Sequence, residues 1–456
     1  MINNNEKVGL TLDNEEFYRR YGRKKTVGMF TLGCKVNQYE TEAMTELFED
    51  SGYEAVAFDE KADVYVINTC TVTGVSARKS RQAVRKARSA NAGAVVAVVG
   101  CYPQTAPDEV EGMADADIMV GTRDRLKILE YIAAYEAGGE RVKAVGDIMG
   151  DRGFEAMKID RYKDRTRAFL KIQDGCSQFC AYCIIPYARG PVRSRPPEDV
   201  LSEVRKLADN GFREIVLTGI HIASYGRDIP DMSLLKLVKE VHGAGGIDRL
   251  RLGSIEPRTV TPEFAEAAGN LEKLCPHYHI SLQSGCDATL KRMNRKYTTG
   301  EYRKALAMLR ESVPDVAVST DVMVGFPGET EEEFEATVKF LKEMEFSKMH
   351  VFKYSPRKGT PAASFAEQVG GEAKEERSAR LIRLSDAQTL EFNSRFCGSR
   401  LPVLFERELR DRPGLFEGLT PNYIRVVCPG NAGLEGNIAE VLLKAAENDW
   451  VTGELT

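Results

Sequence analysis

The sequence predicts an α/β chain in three parts: an N-terminal doubly wound parallel sheet, a central partial (β/α)6 barrel and a small C-terminal β-barrel. Three observations carry that reading. From about Thr26, short β-branched runs alternate with amphipathic helical segments, the sign of a parallel sheet covered by helices. After a polar, Gly-containing stretch ending "RYKDRTR" the alternation restarts and runs through six strand-helix repeats. Beyond about residue 390 it gives way to short strands separated by turn residues.

In the first part, "VGMFTLGC" reads as a strand, "QYETEAMTELFEDSG" as a helix ended by Gly52, and "DVYVINTC" as a second strand. "GVSARKSRQAVRKARSAN" is then a helix, and "AVVAVVGC" and "ADIMVGT" are two more strands. Cys34, Cys70 and Cys101 close three of these strands, 36 and 31 residues apart. That is the length of one strand-helix-strand unit, so each cysteine is expected at the carboxyl end of a neighbouring parallel strand, where open α/β sheets bind ligands. The bland alternative is three buried cysteines ending three strands by chance.

In the second part the expected strands are "RAFLKIQ", "EIVLTG", "RLRLGS", "YHISLQS", "VAVSTDVMVG" and "MHVFKYS", with helices such as "PEDVLSEVRKLADN" and "EEEFEATVKFLKEME" between them. Six repeats are too few for the full eightfold barrel. After the helix around "KEERSARLIRLSDAQTLEFNSRFCG", the segments "RLPVLFERE", "GLFEGLT", "YIRVVCPG" and "NIAEVLLKAAENDWVTGEL" form the small barrel, of the oligonucleotide-binding-like kind that often holds nucleic acid. The domains are placed at 25–150, 160–388 and 390–456, with 1–24 a polar extension.

A length of 456 residues suits about three domains. The opening "MINNNEKVGL" has no signal-like apolar core, and the longest apolar run, "AGAVVAVVG", is too short to cross a bilayer; a cytoplasmic protein without a membrane partner is expected. In that reducing compartment ten cysteines point to metal ligands or catalytic groups rather than disulfides. A net charge of −5 argues against coating nucleic acid by bulk electrostatics and leaves local basic patches.

The stretch "DGCSQFCAYCIIPYARG" places Cys176, Cys180 and Cys183 at i, i+4 and i+7, which on a helix would form one core-facing stripe. Gly175 favours a turn and Pro186 opposes a continuing helix, so a loop after the first barrel strand is expected instead. A structural zinc site wants four ligands, and no fourth cysteine is adjacent; the five histidines all lie at 221 or beyond. Three thiolates suit an iron-sulfur cube with one iron left open.

With its C-x3-C-x2-C and Tyr182 ahead of the last cysteine, this stretch resembles the radical S-adenosylmethionine superfamily. The resemblance implies that the open iron chelates S-adenosylmethionine, whose reductive cleavage yields a 5′-deoxyadenosyl radical. From about Lys25 onward the chain is similar to the methylthiotransferases of that superfamily, on "TLGCKVNQYETEAM", "VINTCTVTGVSARKSRQ", "LTGIHIASYG", "LQSGCDATLKRMNRKYT", "DVMVGFPGETEEEF" and "YSPRKGTPAA". This implies two [4Fe-4S] clusters, one on Cys34, Cys70 and Cys101 and one on Cys176, Cys180 and Cys183, with a C-terminal barrel of the TRAM kind. "GCKVNQYE" and "CIIPYARGPVRSRP" resemble the branch that acts on N6-threonylcarbamoyladenosine of tRNA, 3′ of the anticodon. In the isopentenyladenosine branch a glutamate usually stands between the Arg-Gly and the Ser-Arg; here Arg193 precedes Ser194, while Pro191 stands where a basic residue is expected.

The implied reaction replaces the C2 hydrogen of the adenine by a methylthio group, with S-adenosylmethionine as both methyl donor and radical source. An unactivated aromatic C–H offers no acidic proton, so ordinary acid-base catalysis cannot do this. No catalytic residue is expected beyond the cluster ligands. An external electron donor, a sulfur donor and tRNA are the expected partners, and DNA is not.

The candidate S-adenosylmethionine contacts are Tyr182 on the cysteine loop and the strand-end residues Thr218, Gly219, Ser254, Glu256, Gln283, Ser284, Val324 and Gly325. Turn residues ending strands are the alternative for each. For tRNA, Arg78, Lys79, Arg81, Arg85 and Lys86 on the helix after Cys70 could neutralise phosphates, against the plain reading of a solvated face. Tyr423 and Arg425, expected at i and i+2 of one strand, could stack on and pair with RNA. Cys275, Cys286, Cys397 and Cys428 match no ligand spacing, and Trp450 is expected in the last barrel's core. The rivals are the same chemistry on isopentenyladenosine tRNA or a ribosomal-protein aspartate, and a non-catalytic iron-sulfur or zinc RNA-binding protein.

Overall fold

The computed structural model describes residues 14–72, 74–159 and 166–456; residues 1–13 of the expected extension, and the basic residues Arg161, Lys163 and Arg165, lie outside the described residues. The chain divides into two compact units.

The first unit holds a six-stranded, all-parallel sheet: β1 (Thr26–Thr31), β2 (Glu54–Val56), β3 (Val64–Thr69), β4 (Val95–Gly100), β5 (Ile118–Val120) and β6 (Val142–Ala144), in the order β2-β1-β3-β4-β5-β6. Every residue of β3 and β4 is buried, as the largely apolar "VYVINT" and "VVAVVG" require of central strands covered on both faces. Alternate side chains go to opposite layers. Tyr65, Ile67, Val96 and Val98 meet Ala83, Val84 and Ala87 of the helix Gly74–Ala90. Val64, Val66, Ala97 and Val99 meet Met44 and Phe48 of the helix Lys35–Asp50. The edge strands β2 and β6, three residues each, add to the four strands expected. Part of the expected extension is a helix, Asn14–Tyr21, which buries Phe17.

In the second unit β7 (Arg167–Asp174) is followed by a two-residue strand, β8 (Arg193–Ser194), then β9 (Glu214–Gly219), β10 (Arg249–Leu252), β11 (His277–His279), β12 (Ala317–Val324) and β13 (Lys348–Lys353). Hydrogen bonding makes two sheets, β10-β9-β7-β8 and β11-β12-β13; the bridges Leu250↔Leu274 and Ile255↔Ile280 link them. All six expected strands are present, with helices between them on the outside. The sequence reading missed the helices Pro262–Asn270 and Asp287–Arg292.

At the amino ends of these strands Glu214 is fully buried and takes Arg251 in a bidentate pair, 2.6 and 3.2 Å. Arg249 and Arg251 also donate to the carbonyls of Leu419, Pro402 and Pro421, at 2.9, 2.7 and 2.9 Å, tying the partial barrel to the C-terminal one. That last element comprises β14 (Arg400–Glu408), β15 (Leu415–Leu419), β16 (Arg425–Pro429), β17 (Ile438–Ala446) and β18 (Val451–Leu455), closed in the order β14-β15-β16-β18-β17. Its core holds Val403, Phe405, Phe416, Val426, Val441 and Val451. Trp450 is outside that core, correcting the expectation: Val451 and Gly453 take the inward positions, and alternation turns Trp450 outward beneath Arg412 and Arg425.

Candidate active site

β1, β3 and β4 are neighbours and parallel, so their carboxyl ends share one edge of the sheet. Cys34 caps the start of the helix Lys35–Asp50, Cys70 directly follows β3, and Cys101 directly follows β4. Cys34 is exposed; Cys70 and Cys101 are buried. Gly100 makes the turn into Cys101 with φ 97°, and a Cβ there would stand 2.7 Å from Asn68 Oδ1.

The three thiols sense one another. Burial pushes Cys70 and Cys101 up, Cys101 raises Cys70 further, and Cys34 raises Cys101, while Arg189 draws both buried thiols down. Arg189 is the last residue of the short helix Ile185–Arg189 and is fully buried. Its Nε donates to Cys101 Sγ at 3.3 Å, Nη2 donates to Asn37 Oδ1 and Glu40 Oε2 at 3.0 Å each, and Nη1 pairs with Glu40 and, at 3.3 Å, with Asp174.

The second cysteine set lies on an irregular segment after β7, as expected, and not on a helix. Gly175 has φ 74°, and a Cβ there would fall 1.8 Å from the Pro191 carbonyl oxygen, so glycine alone fits. The Cys176 amide donates to Gly190 O at 2.9 Å. Ala181 N donates to Met293 O and Ala181 O accepts from Ala362 N, both at 2.9 Å, while Asn294 Nδ2 holds Phe179 O at 2.8 Å. Pro186 does not merely stop a helix: it stands in the first turn of Ile185–Arg189, where its missing N–H costs nothing. Cys176 and Cys183 group with the first unit and Cys180 with the second.

Cys180 Sγ accepts from Arg295 Nη1 at 3.2 Å; the same guanidinium reaches Glu256 at 2.9 Å. Glu256 in turn lies 3.3 Å from His221 Nε2 and accepts from Gln178 at 3.5 Å. Of the strand-end candidates, Glu256 is thus the one brought into this polar group. Thr218 and Gly219 end β9, Val324 ends β12 with Gly325 directly after it, and Gln283, at φ 71°, bridges to Val322. Ser254 is exposed. Ser284 is buried with its hydroxyl 3.2 Å from Thr337 and accepting from Cys286 N, and Gly325 lies beneath Lys374. Tyr182 packs edge-on to Phe326, in an apolar cluster with Ala181, Met293 and Tyr354. Arg189, Arg295 and His221 were not singled out by sequence reading, although all three fall inside quoted motifs, "IIPYARG", "MNRKYT" and "LTGIHIASYG".

Among the described residues no three His, Cys, Asp or Glu side chains converge on a single metal-ion position. A four-iron cube binds each thiolate through a different iron, so its ligands stand further apart than those of one ion. Cysteine-only donor sets of three, each with an arginine on one sulfur, fit that group. Cys275 and Cys428 are buried, away from either set in sequence and hydrogen-bonded to neither.

On the helix Gly74–Ala90, Arg78, Lys79, Arg85 and Lys86 are exposed on one face, whereas Arg81 is held by the Tyr102 hydroxyl at 2.8 Å. Tyr423 and Arg425 do not share a strand, contrary to expectation. Tyr423 precedes β16 at φ 70°, stacks on His277 at 4.3 Å and lies under Arg251; Arg425 begins β16 and pairs with Glu417. Both are thus engaged within the fold.

Residues 170–341 match the Radical SAM superfamily and residues 26–121 match a family described as Uncharacterized protein family UPF0004. The chain is 46% identical over 424 residues to the threonylcarbamoyladenosine tRNA methylthiotransferase MtaB of Bacillus subtilis, covering 92% of this chain and 94% of that one. It is 38% identical to MtaB of Aquifex aeolicus over 91% of this chain and all of that one, and 34% identical to the tRNA-2-methylthio-N(6)-dimethylallyladenosine synthase of Moorella thermoacetica over 95% and 98%. In fold it is similar to the radical S-adenosylmethionine methyltransferase TsrM of Kitasatospora setae, with TM-score 0.55, 17% identity and coverage of 74% and 76%. The chain belongs to the radical S-adenosylmethionine family of tRNA methylthiotransferases.

Proposed function

We propose that the chain inserts a methylthio group at C2 of N6-threonylcarbamoyladenosine beside the tRNA anticodon, with Cys34, Cys70 and Cys101 holding one [4Fe-4S] cluster and Cys176, Cys180 and Cys183 the other. The similarity to the Bacillus subtilis enzyme along nearly the whole of both chains carries this reading. When bound, the two clusters and S-adenosylmethionine supply the radical chemistry, the sulfur and the methyl group.

This chain's own residues supply position and charge. Arg295 orients the Cys180 sulfur and fixes Glu256 as an ion-paired carboxylate, able to receive polar groups of S-adenosylmethionine. Tyr182, through Phe326, anchors the loop so that its thiols keep one geometry. The exposed cations Arg78, Lys79, Arg85 and Lys86 contact tRNA phosphates without reading sequence. Residues 25–150, 160–388 and 390–456 serve as sulfur-insertion, radical and RNA-binding domains. Electrons and sulfur come from outside the chain. No described helix is long and apolar enough to cross a membrane. A tRNA substrate supports a cytoplasmic location.

Mass spectrometry of tRNA nucleosides from a deletion strain tests the reading. The expected result is loss of the methylthio form with threonylcarbamoyladenosine retained. Loss of methylthio-isopentenyladenosine instead would move the substrate to the other branch.

A further inference from the structure

Arg189 spends every N–H it has inside the protein. A guanidinium carries five, and here one goes to a sulfur, one to an amide oxygen and the rest to carboxylates. Charge pairing alone would not need the sulfur: Glu40 and Asp174 already flank the cation, and Glu40 is shared with a second buried arginine, Arg125. Arg125 makes the instructive contrast. It is equally buried and bound to Glu40 and Glu155, yet it touches no thiol.

Asn37 extends the reach of Arg189. Its Oδ1 takes the Arg189 N–H and stands 3.4 Å from Cys34 Sγ, while its Nδ2 donates to Leu32 O and Thr69 O, each at 2.9 Å. Thr69 is the residue before Cys70. One arginine and one asparagine therefore hold the Cys101 sulfur directly and the peptide leading to Cys70. Hydrogen bonds donated to ligand sulfur and nearby positive charge are among the levers that set an iron-sulfur potential, since both favour the more negative, reduced cluster.

We propose that Arg189, steadied by Asn37, is a positioning residue for the N-terminal cluster that fixes Cys101 and raises the cluster's reduction potential. This rests on the assignment of Cys34, Cys70 and Cys101 as its ligands. The full chain with Cys176, Cys180 and Cys183→Ala, reconstituted anaerobically, carries only that cluster, and its potential is read by redox titration followed by electron paramagnetic resonance. Arg189→Lys keeps the charge and loses the N–H to sulfur. It is expected to lower the equilibrium constant for reduction about tenfold, about 59 mV for one electron. Arg125→Lys, an equal disturbance to the buried ion pairs, is expected to shift it by less than half as much. Selective failure of the Arg189→Lys chain to retain iron, with Arg125→Lys loaded, also supports the assignment. Equal behaviour of the two variants, including equal loss of the cluster or of the fold, overturns it and leaves Arg189 a structural ion-pair residue. A parent chain that shows no iron-sulfur signal overturns the ligand assignment as well.

Discussion

Cys34, Cys70 and Cys101 come from three strand ends brought together by a sheet, whereas Cys176, Cys180 and Cys183 come from one short loop. The first set exists only when β1, β3 and β4 have paired in register. The second is fixed by a glycine turn and a handful of backbone hydrogen bonds, with little chain entropy to lose in gathering its thiols. Yet each set sets an arginine against one sulfur, 3.3 Å in the first and 3.2 Å in the second. Ligand placement follows the local architecture, and sulfur electrostatics needs a partner from far along the chain.

The largest effect expected separates the two sets by what is lost. Cys180→Ala should abolish reductive cleavage of S-adenosylmethionine, whereas Cys70→Ala should retain cleavage, read as 5′-deoxyadenosine by chromatography, while losing all methylthiolation of tRNA. Next, the two turn glycines should differ in cost. Alanine at 175 meets a carbonyl oxygen at 1.8 Å and is expected to cost about 3 kcal/mol, while alanine at 100, strained at φ 97° but with its nearest backbone atom at 3.0 Å, should cost about 2 kcal/mol by thermal unfolding.

Acid should be felt at the loop set through Glu256. Burial opposes its ionisation, but the His221 hydrogen bond and the Arg295 charge prevail and hold its carboxyl below the ordinary value of 4.5. The unfolded carboxyl binds protons first, so the stabilisation is complete above about pH 4.5 and is lost as pH falls through the lowered folded value. Glu256→Gln should cost about 2 kcal/mol at pH 7 in urea unfolding, with the gap to the parent chain closing towards pH 3. The smallest effect concerns the helix that follows Cys70: Arg85→Glu with Lys86→Glu should weaken tRNA binding and lower the slope of log affinity against log salt by about two.

The cysteine positions were legible because the strand-helix period and the turn at Gly175 are local signals. The six barrel strands and the closed C-terminal barrel were legible for the same reason. The edge strands "EAV" and "VKA" were not, since three residues carry no period. Arg189 and Arg295 were missed because an arginine's partners lie far along the chain: Glu40 is 149 residues from Arg189, and Cys180 is 115 from Arg295. Tyr423 was misplaced because nothing in "PNYIRVV" announces a left-handed residue, and Trp450 because a one-residue shift in strand phase exchanges core for surface.

β18 closes the last barrel by lying parallel to β16 and antiparallel to β17. Loss of that one strand would bare two edges at once, and bare edges recruit other copies of themselves. One five-residue strand thus stands between a closed barrel and two open edges, and the solubility of the last domain rests on it.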